Sequence, residues 1–261
     1  MSETMNSILY EIRDGVAEIS LARPPVNALD ESTLAELLAA FRQAATDQEA
    51  RAVILHSAIP NRFCAGLDLK ILRTYQPSQL RSVLQKLYVD LFDAQFALGK
   101  PSIAAVSGAT RGGGMTVAVS CDLVVASRSA TFGYPEIDNG LLPAIHYAHL
   151  PRIVGRHRAF DLLFTGRTFP AQEALDIGLI NRIVDEDAVL DAARQLAKLL
   201  TSKPAETVRR GRAAYMSAID QNYRRDIQAA VEQFCNVALT DEAQERLEAF
   251  FEDRKPVWRC G

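Results

Sequence analysis

The chain has 261 residues, 48% of them hydrophobic and 23% charged, proportions of a globular domain with a sizeable core. A formal net charge of −3 counts against nucleic acid as the main partner, because a nucleic-acid footprint is usually a strongly basic face. No run of about 18 uncharged apolar residues offers a membrane span, and the opening MSETMNSILYEIRD lacks the basic start and apolar middle of an export signal; a soluble, cytoplasmic chain with no membrane partner is expected.

The first predicted elements are β-rich. ILYEIRDGVAEISLA (8–22) alternates about Asp14-Gly15, a hairpin signal, and the stretch 50–57, ARAVILHS, reads as a buried strand. Between them a helix is predicted from about Glu31 to Ala45, with Asp30 as N-cap and Leu34, Leu37, Leu38 and Phe41 on one face. A second amphipathic segment, 78–98, leads through Lys100-Pro101 into another buried strand, SIAAVSG. Helices alternating with buried strands are β-α-β logic. From Pro151 onward helical periodicity dominates, with Lys203-Pro204 as a break. Leu162, Leu163, Phe164, Phe250 and Phe251 are candidates for a subunit interface.

The cysteines Cys64, Cys121, Cys235 and Cys260 have neither CxxC spacing nor paired histidines, so reduced thiols are expected, without a zinc site or disulfide framework.

Three segments can carry chemistry. In SGATRGGGMTVAVSCDLVVAS (107–127), Gly112, Gly113 and Gly114 run straight into a small apolar segment. Glycines let backbone approach a ligand closely, and a helix starting there would aim unpaired N–H groups at negative charge. Neither the phosphate-loop pattern nor GxGxxG is present; the bland alternative is a tight-packing turn. In NRFCAGLDLK (61–70), Ala65-Gly66-Leu67 interrupts the route out of a strand, and a small-Gly pair there can expose a backbone N–H to a ligand; by itself such a pair is usually a turn. In ATFGYPEIDNGLLPA (130–144), Glu136 sits among Phe132, Tyr134, Ile137 and Leu141. Apolar surroundings disfavour the charged carboxylate and bring it toward the range of a general acid or base. A solvated loop carboxylate is the bland reading.

In this order and spacing, RPPVNALD, FCAGLDL, SGATRGGG, CDLVVAS, ATFGYPEIDNGLLP, FTGRTFPAQEALDIGLINRIV and FFEDRKPVWR resemble the enoyl-CoA hydratase/isomerase, or crotonase, family over nearly the whole chain. The resemblance implies an α/β fold, a crotonase-like spiral of ββα units over 1–200, with a helical C-terminal oligomerisation region at 201–261. It implies an acyl-CoA thioester as substrate, no cofactor beyond the coenzyme A that the substrate carries, no metal, and a homotrimer or hexamer. By motif position, the N–H groups of Leu67 and Gly113 form an oxyanion hole and Glu136 is the acid/base. Ala65, Gly66, Asp68, Gly112 and Gly114 surround the substrate, and Lys255 approaches the CoA phosphates.

One departure matters. Hydratases of the best-known type in that family carry a glutamate two residues past the triplet, where this chain has Thr116. A threonine is no general base at neutral pH, although its hydroxyl can hold a water or a substrate group. A two-carboxylate hydration is therefore in doubt, while double-bond migration needs one base. Hydratase-lyases for hydroxycinnamoyl-CoA also keep one glutamate, with a small polar residue at the Thr116 position, and stay an alternative reading, although they use a tyrosine where this chain has Ile71-Leu72; dienoyl-CoA isomerases and haloaryl-CoA dehalogenases use an aspartate that the stretch 141–146 lacks. A non-catalytic acyl-CoA binder is the rival from another class. His146 and His149 follow the motif closely, and pocket wall or subunit contact is the commoner role for such residues. Tyr75 and Tyr134 are candidate pocket residues, and segment 71–98 candidate pocket wall.

Overall fold

A computed structural model of the chain, in which residues 6–220 and 222–257 are described, begins with the expected hairpin. Strands β1 (Ile8–Arg13) and β2 (Val16–Leu21) pair antiparallel about Asp14 and Gly15. Both turn residues have positive φ, 50° and 76°, as the hairpin turn that matches strand twist requires. The opening MSETM, Trp258 and Cys260 lie outside the described residues.

The chain then repeats a pattern. β3 (Ala28–Leu29) leads into α1 (Glu31–Thr46), and β4 (Ala52–Ser57) into β5 (Arg62–Cys64), β6 (Gly66–Leu67) and α2 (Leu69–Thr74). α3 (Pro77–Leu84) and α4 (Leu91–Ala97) flank one turn of π-helix, Gln85–Asp90. β7 (Ser102–Val106), β8 (Ala109–Arg111) and α5 (Gly113–Val119) follow, then β9 (Leu123–Ser127), β10 (Thr131–Gly133), α6 (Ala144–Val154) and α7 (Arg156–Thr165). β11 (Thr168–Pro170), α8 (Ala171–Asp176), β12 (Arg182–Val184) and α9 (Val189–Thr201) close the spiral. Successive turns add β2, β4, β7, β9 and β12 to one sheet, of order β1-β2-β4-β7-β9-β12, and β5, β8 and β10 to a second, of order β11-β10-β8-β5.

The buried runs sort by alternate residues. In β4, Val53 and Leu55 join the main core while Ala52 and Ile54 face the other way; in β7, Ala104 and Val106 divide from Ile103 and Ala105 in the same manner. The second face is covered by Val189, Ala193, Leu196 and Ala197 of α9, one stripe of a helix. Strands buried on both faces read as unbroken apolar runs, which is why 50–57 and 102–106 were visible in the sequence.

α1 starts where expected. Asp30 accepts from the Thr33 backbone N–H at 2.8 Å and from its hydroxyl at 2.8 Å, and Leu34, Leu37, Leu38 and Phe41 are buried. Two expectations change. The region after Pro151 is not all helical, since β11 and β12 extend both sheets. Leu162 and Leu163 are buried in the chain's own core, so they cannot line a subunit interface; Phe164 and Phe250 are the exposed ones.

The C-terminal helices α10 (Ala205–Ile219), α11 (Tyr223–Ala238) and α12 (Asp241–Phe251) begin after Pro204. Ile227, Val231 and Phe234 of α11 and Leu247 of α12 belong to the same buried cluster as the sheet residues. α12 reaches back over the loop after β10, where the Arg246 Nε donates to the Asp138 carbonyl at 2.7 Å.

Candidate active site

The glycines of the triplet serve three different contacts. Gly112, at φ 50°, caps α5, and a β-carbon there would stand 3.0 Å from Glu136 Oε1. A β-carbon on Gly113 would lie 3.4 Å from the Leu67 nitrogen, and one on Gly114 would overlap the backbone carbonyl of Cys64. Gly66, at φ 89°, completes the approach: a β-carbon there would be 2.9 Å from the Gly113 nitrogen and 2.7 Å from the Arg111 carbonyl oxygen. Two chain segments thus meet backbone to backbone, as only glycine permits, and the Leu67 and Gly113 nitrogens come together. Gly113 opens α5, so its N–H has no partner within that helix. With seven residues, α5 is too short for its dipole to be the main feature here.

β6 is held for this by its pairing with β3, Ala28 opposite Gly66 and Leu29 opposite Leu67. The π-turn presses Leu87 toward Gly113, its Cδ2 lying 3.0 Å from where a β-carbon would be. Single π-turns inside helices are frequent at functional sites.

Glu136 follows β10 and starts a 3₁₀ turn, its carbonyl accepting from the Asn139 and Leu141 N–H groups at 2.9 Å each. Its side chain is 13% exposed, with Oε1 3.5 Å from His146 Nε2. Oε2 is buried and has no protein partner. Buried carboxylate oxygens are usually satisfied, so this one is available to a bound molecule. Burial pushes the phenols of Tyr88, Tyr134 and Tyr147 upward, and the negative charge of Glu136 pushes them further. The carboxylate therefore sits in a wall of protonated tyrosines.

Thr116, one turn into α5, is 4% exposed, and its hydroxyl is likewise buried without a protein partner. It lines a cavity of about 460 Å³ together with Leu87, Tyr88, Leu91 and Phe92, within the span of about 300–1,000 Å³ usual for small-molecule sites. The expected wall segment 71–98 contributes these residues, whereas Ile71 and Leu72 are buried in the core.

His146 and His149 are 1% and 6% exposed, one turn apart on α6, and His146 Nδ1 lies 3.3 Å from His149 Nε2. Burial holds the His149 ring well below the usual histidine range, and the neighbouring His146 and Arg152 charges act in the same direction. Tyr134 meets the His146 ring edge-on at 4.5 Å. The sequence hinted at this coupling only through the three-residue spacing on a helix face.

Gly66, Leu67, Gly112, Gly113 and Glu136 are thus gathered in one place, with Ala65 and Gly114 beside them in the chain; Thr116 stands one turn further along α5, and its cavity is lined by none of these residues. Asp68 adjoins them, but its carboxylate is engaged, capping α2 at the Lys70 N–H (3.1 Å) and pairing with Arg23 (3.0 Å). Lys255 is exposed beyond α12, and no contact among the described residues ties it to the cluster. Cys64, Cys121 and Cys235 are free and buried. No helix among the described residues is long and apolar enough to cross a membrane.

Comparison with known proteins identifies the family. The family model described as enoyl-CoA hydratase/isomerase matches residues 11–260. A probable mitochondrial enoyl-CoA hydratase 2 of Arabidopsis thaliana is 36% identical over 94% of this chain and 81% of its own. The short-chain-enoyl-CoA hydratase of Clostridium acetobutylicum is 33% identical over 96% and 97%. The crystal structure of an enoyl-CoA hydratase/isomerase from Xanthobacter autotrophicus Py2 superposes with a TM-score of 0.87 at 31% identity, covering 96% of this chain and 94% of that one. A near-complete family match, relatives above 30% identity and a shared spiral of ββα turns together make this chain a member of the enoyl-CoA hydratase/isomerase, or crotonase, family.

Proposed function

We propose that the protein moves a proton on an enoyl-CoA thioester, with Glu136 as its acid/base and the Leu67 and Gly113 N–H groups as an oxyanion hole. Polarisation of the thioester carbonyl by two fixed donors lowers the cost of an enolate. Glu136 then removes a proton from C2 and returns it at C4, migrating the double bond; one carboxylate serves both halves. The carrying observation is the unpartnered buried Oε2 of Glu136 beside Gly112, a proton acceptor with nothing of the protein on it. Coenzyme A enters as part of the substrate, and the exposed aromatics of α7 and α12 are the proposed faces for trimer or hexamer assembly.

A second reading, hydration, has its own support. The Thr116 hydroxyl is buried and unpartnered, a place to hold water without a second carboxylate. The named hydratase relatives are in keeping with it.

Offering the purified protein 3-hexenoyl-CoA and crotonyl-CoA side by side separates the two. Migration without hydration identifies an isomerase, and hydration in the presence of Thr116 a one-carboxylate hydratase. Either activity should fall about 10²–10⁴-fold in Glu136→Gln, the usual worth of a positioned acid/base. Tight thioester binding without turnover would mean a non-catalytic binder.

A further inference from the structure

We propose that His146 and His149 form a buried proton relay joining the Glu136 carboxyl to the cavity behind Thr116. The relay rests on the reading of Glu136 as the acid/base. Its atoms already stand in line: Glu136 Oε1, then His146 Nε2 at 3.5 Å, then from His146 Nδ1 to His149 Nε2 at 3.3 Å. Both gaps are long for a hydrogen bond and close with small shifts, as catalytic contacts commonly do on ligand binding. His149 lines the same cavity as Thr116, and that cavity reaches Ile153, Tyr215 and Ile219, all exposed.

Packing alone does not account for the pair. Two imidazoles buried to 1% and 6% exposure cost desolvation that an apolar side chain would not. A neutral ring is what a relay needs, since it carries a donor on one nitrogen and an acceptor on the other. Burial, His146 and Arg152 all favour neutral His149. The other groups facing His146 and Glu136 are the phenols of Tyr134, Tyr88 and Tyr147, which stay protonated.

The transfer balances. Protonated Glu136 gives its proton to His146 Nε2, while His146 passes the proton on its Nδ1 to His149 Nε2. His149 releases the proton on its own Nδ1 to water in the cavity. Glu136 is left ionised, both rings have exchanged tautomers, and the reverse transfer resets them. An acyl-CoA in the site would cover Glu136 from the side of the oxyanion hole, so this route would let its proton exchange with solvent while substrate is bound.

The test is deuterium incorporation. In D2O, 3-hexenoyl-CoA is converted and deuterium per migrated double bond is counted by mass spectrometry, for the parent protein, His146→Gln and His149→Gln. Glutamine keeps a polar contact but passes no proton from one ring nitrogen to another. The relay predicts deuterium in the parent product and a several-fold drop per migrated double bond in both variants, counted over whatever turnover each variant shows. Unchanged incorporation in both variants overturns it. A second readout needs neither turnover nor a buried histidine variant: ¹⁵N resonances of the histidine rings in the parent and in Glu136→Gln. The relay predicts that both rings hold their proton on Nε2 when Glu136 is ionised, and that the His149 signals move in Glu136→Gln, with His146 standing between the two side chains. Unmoved His149 signals overturn it even if the protein converts neither probe, an outcome that would sink only the proposed reaction.

Discussion

Alanine at Gly113 should separate stability from activity, and alanine at Gly114 should not. Neither glycine has a positive φ, so only space decides. A methyl on Gly113 meets Leu87 Cδ2 at 3.0 Å, the end of a flexible side chain that yields by a few tenths of an ångström. Against that small cost stands the gain of alanine over glycine in a helix, up to about 1 kcal/mol and less at a first position. Stability should therefore change by less than about 1 kcal/mol, or roughly 2–4 °C in Tm at this size. The same methyl, 3.4 Å from the Leu67 nitrogen, crowds the donor pair on which the proposed oxyanion hole depends. Losing the hole should lower kcat by about 10²–10³-fold, or some 2.7–4 kcal/mol. On Gly114 the methyl overlaps the Cys64 carbonyl and lies 3.0 Å from its carbon. Backbone cannot step aside as a leucine tip does, so a destabilisation of about 1–3 kcal/mol follows. Thermal melts paired with turnover of 3-hexenoyl-CoA or crotonyl-CoA read both quantities. A fully active Gly113→Ala would remove the oxyanion assignment, and one that melted as early as Gly114→Ala would refute the packing argument.

Two further side chains, Thr116 and Glu18, give measurable outcomes. Thr116→Ala should leave double-bond migration within a few-fold of the parent and depress any hydration more strongly, because a hydroxyl that holds water matters only to the second reaction; equal loss of both would assign Thr116 to packing. The Glu18 carboxylate, 5% exposed, takes both arms of Arg194 at 2.7 and 2.9 Å, and these bonds hold it below the usual glutamate range despite the opposing cost of burial. A depressed carboxylate contributes stability that is complete above its unfolded pKa, about 4.3, and is lost as pH falls through the folded value. Arg194→Met should thus cost about 1.5–3 kcal/mol at pH 7, measured by urea unfolding, and less at pH 3. A penalty that does not shrink in acid would show that the arginine acts through packing.

What the sequence made legible was whatever one stretch of chain decides for itself. Asp14-Gly15 had to turn, Asp30 had to cap, and alternating apolar runs had to be strands. The π-turn at 85–90 escaped because Leu84, Leu87 and Leu91 keep a helical spacing on either side of it. β12 escaped because three residues gain their strand identity from β9, more than fifty positions earlier, and not from their own pattern. The site divides in the same way. Glycines at 66 and 112–114 advertise a close approach, but not what approaches; that is set by the register of β5 on β8, which shifts between Arg62 and Cys64 and so delivers Gly66 to Gly113. Glu136 and His146 are ten positions apart, with a 3₁₀ turn and a proline between them, and no periodicity links them. Catalytic groups contributed by different turns of a spiral converge only through inter-strand register, so in such folds a motif names the participants while the sheet decides which of them touch.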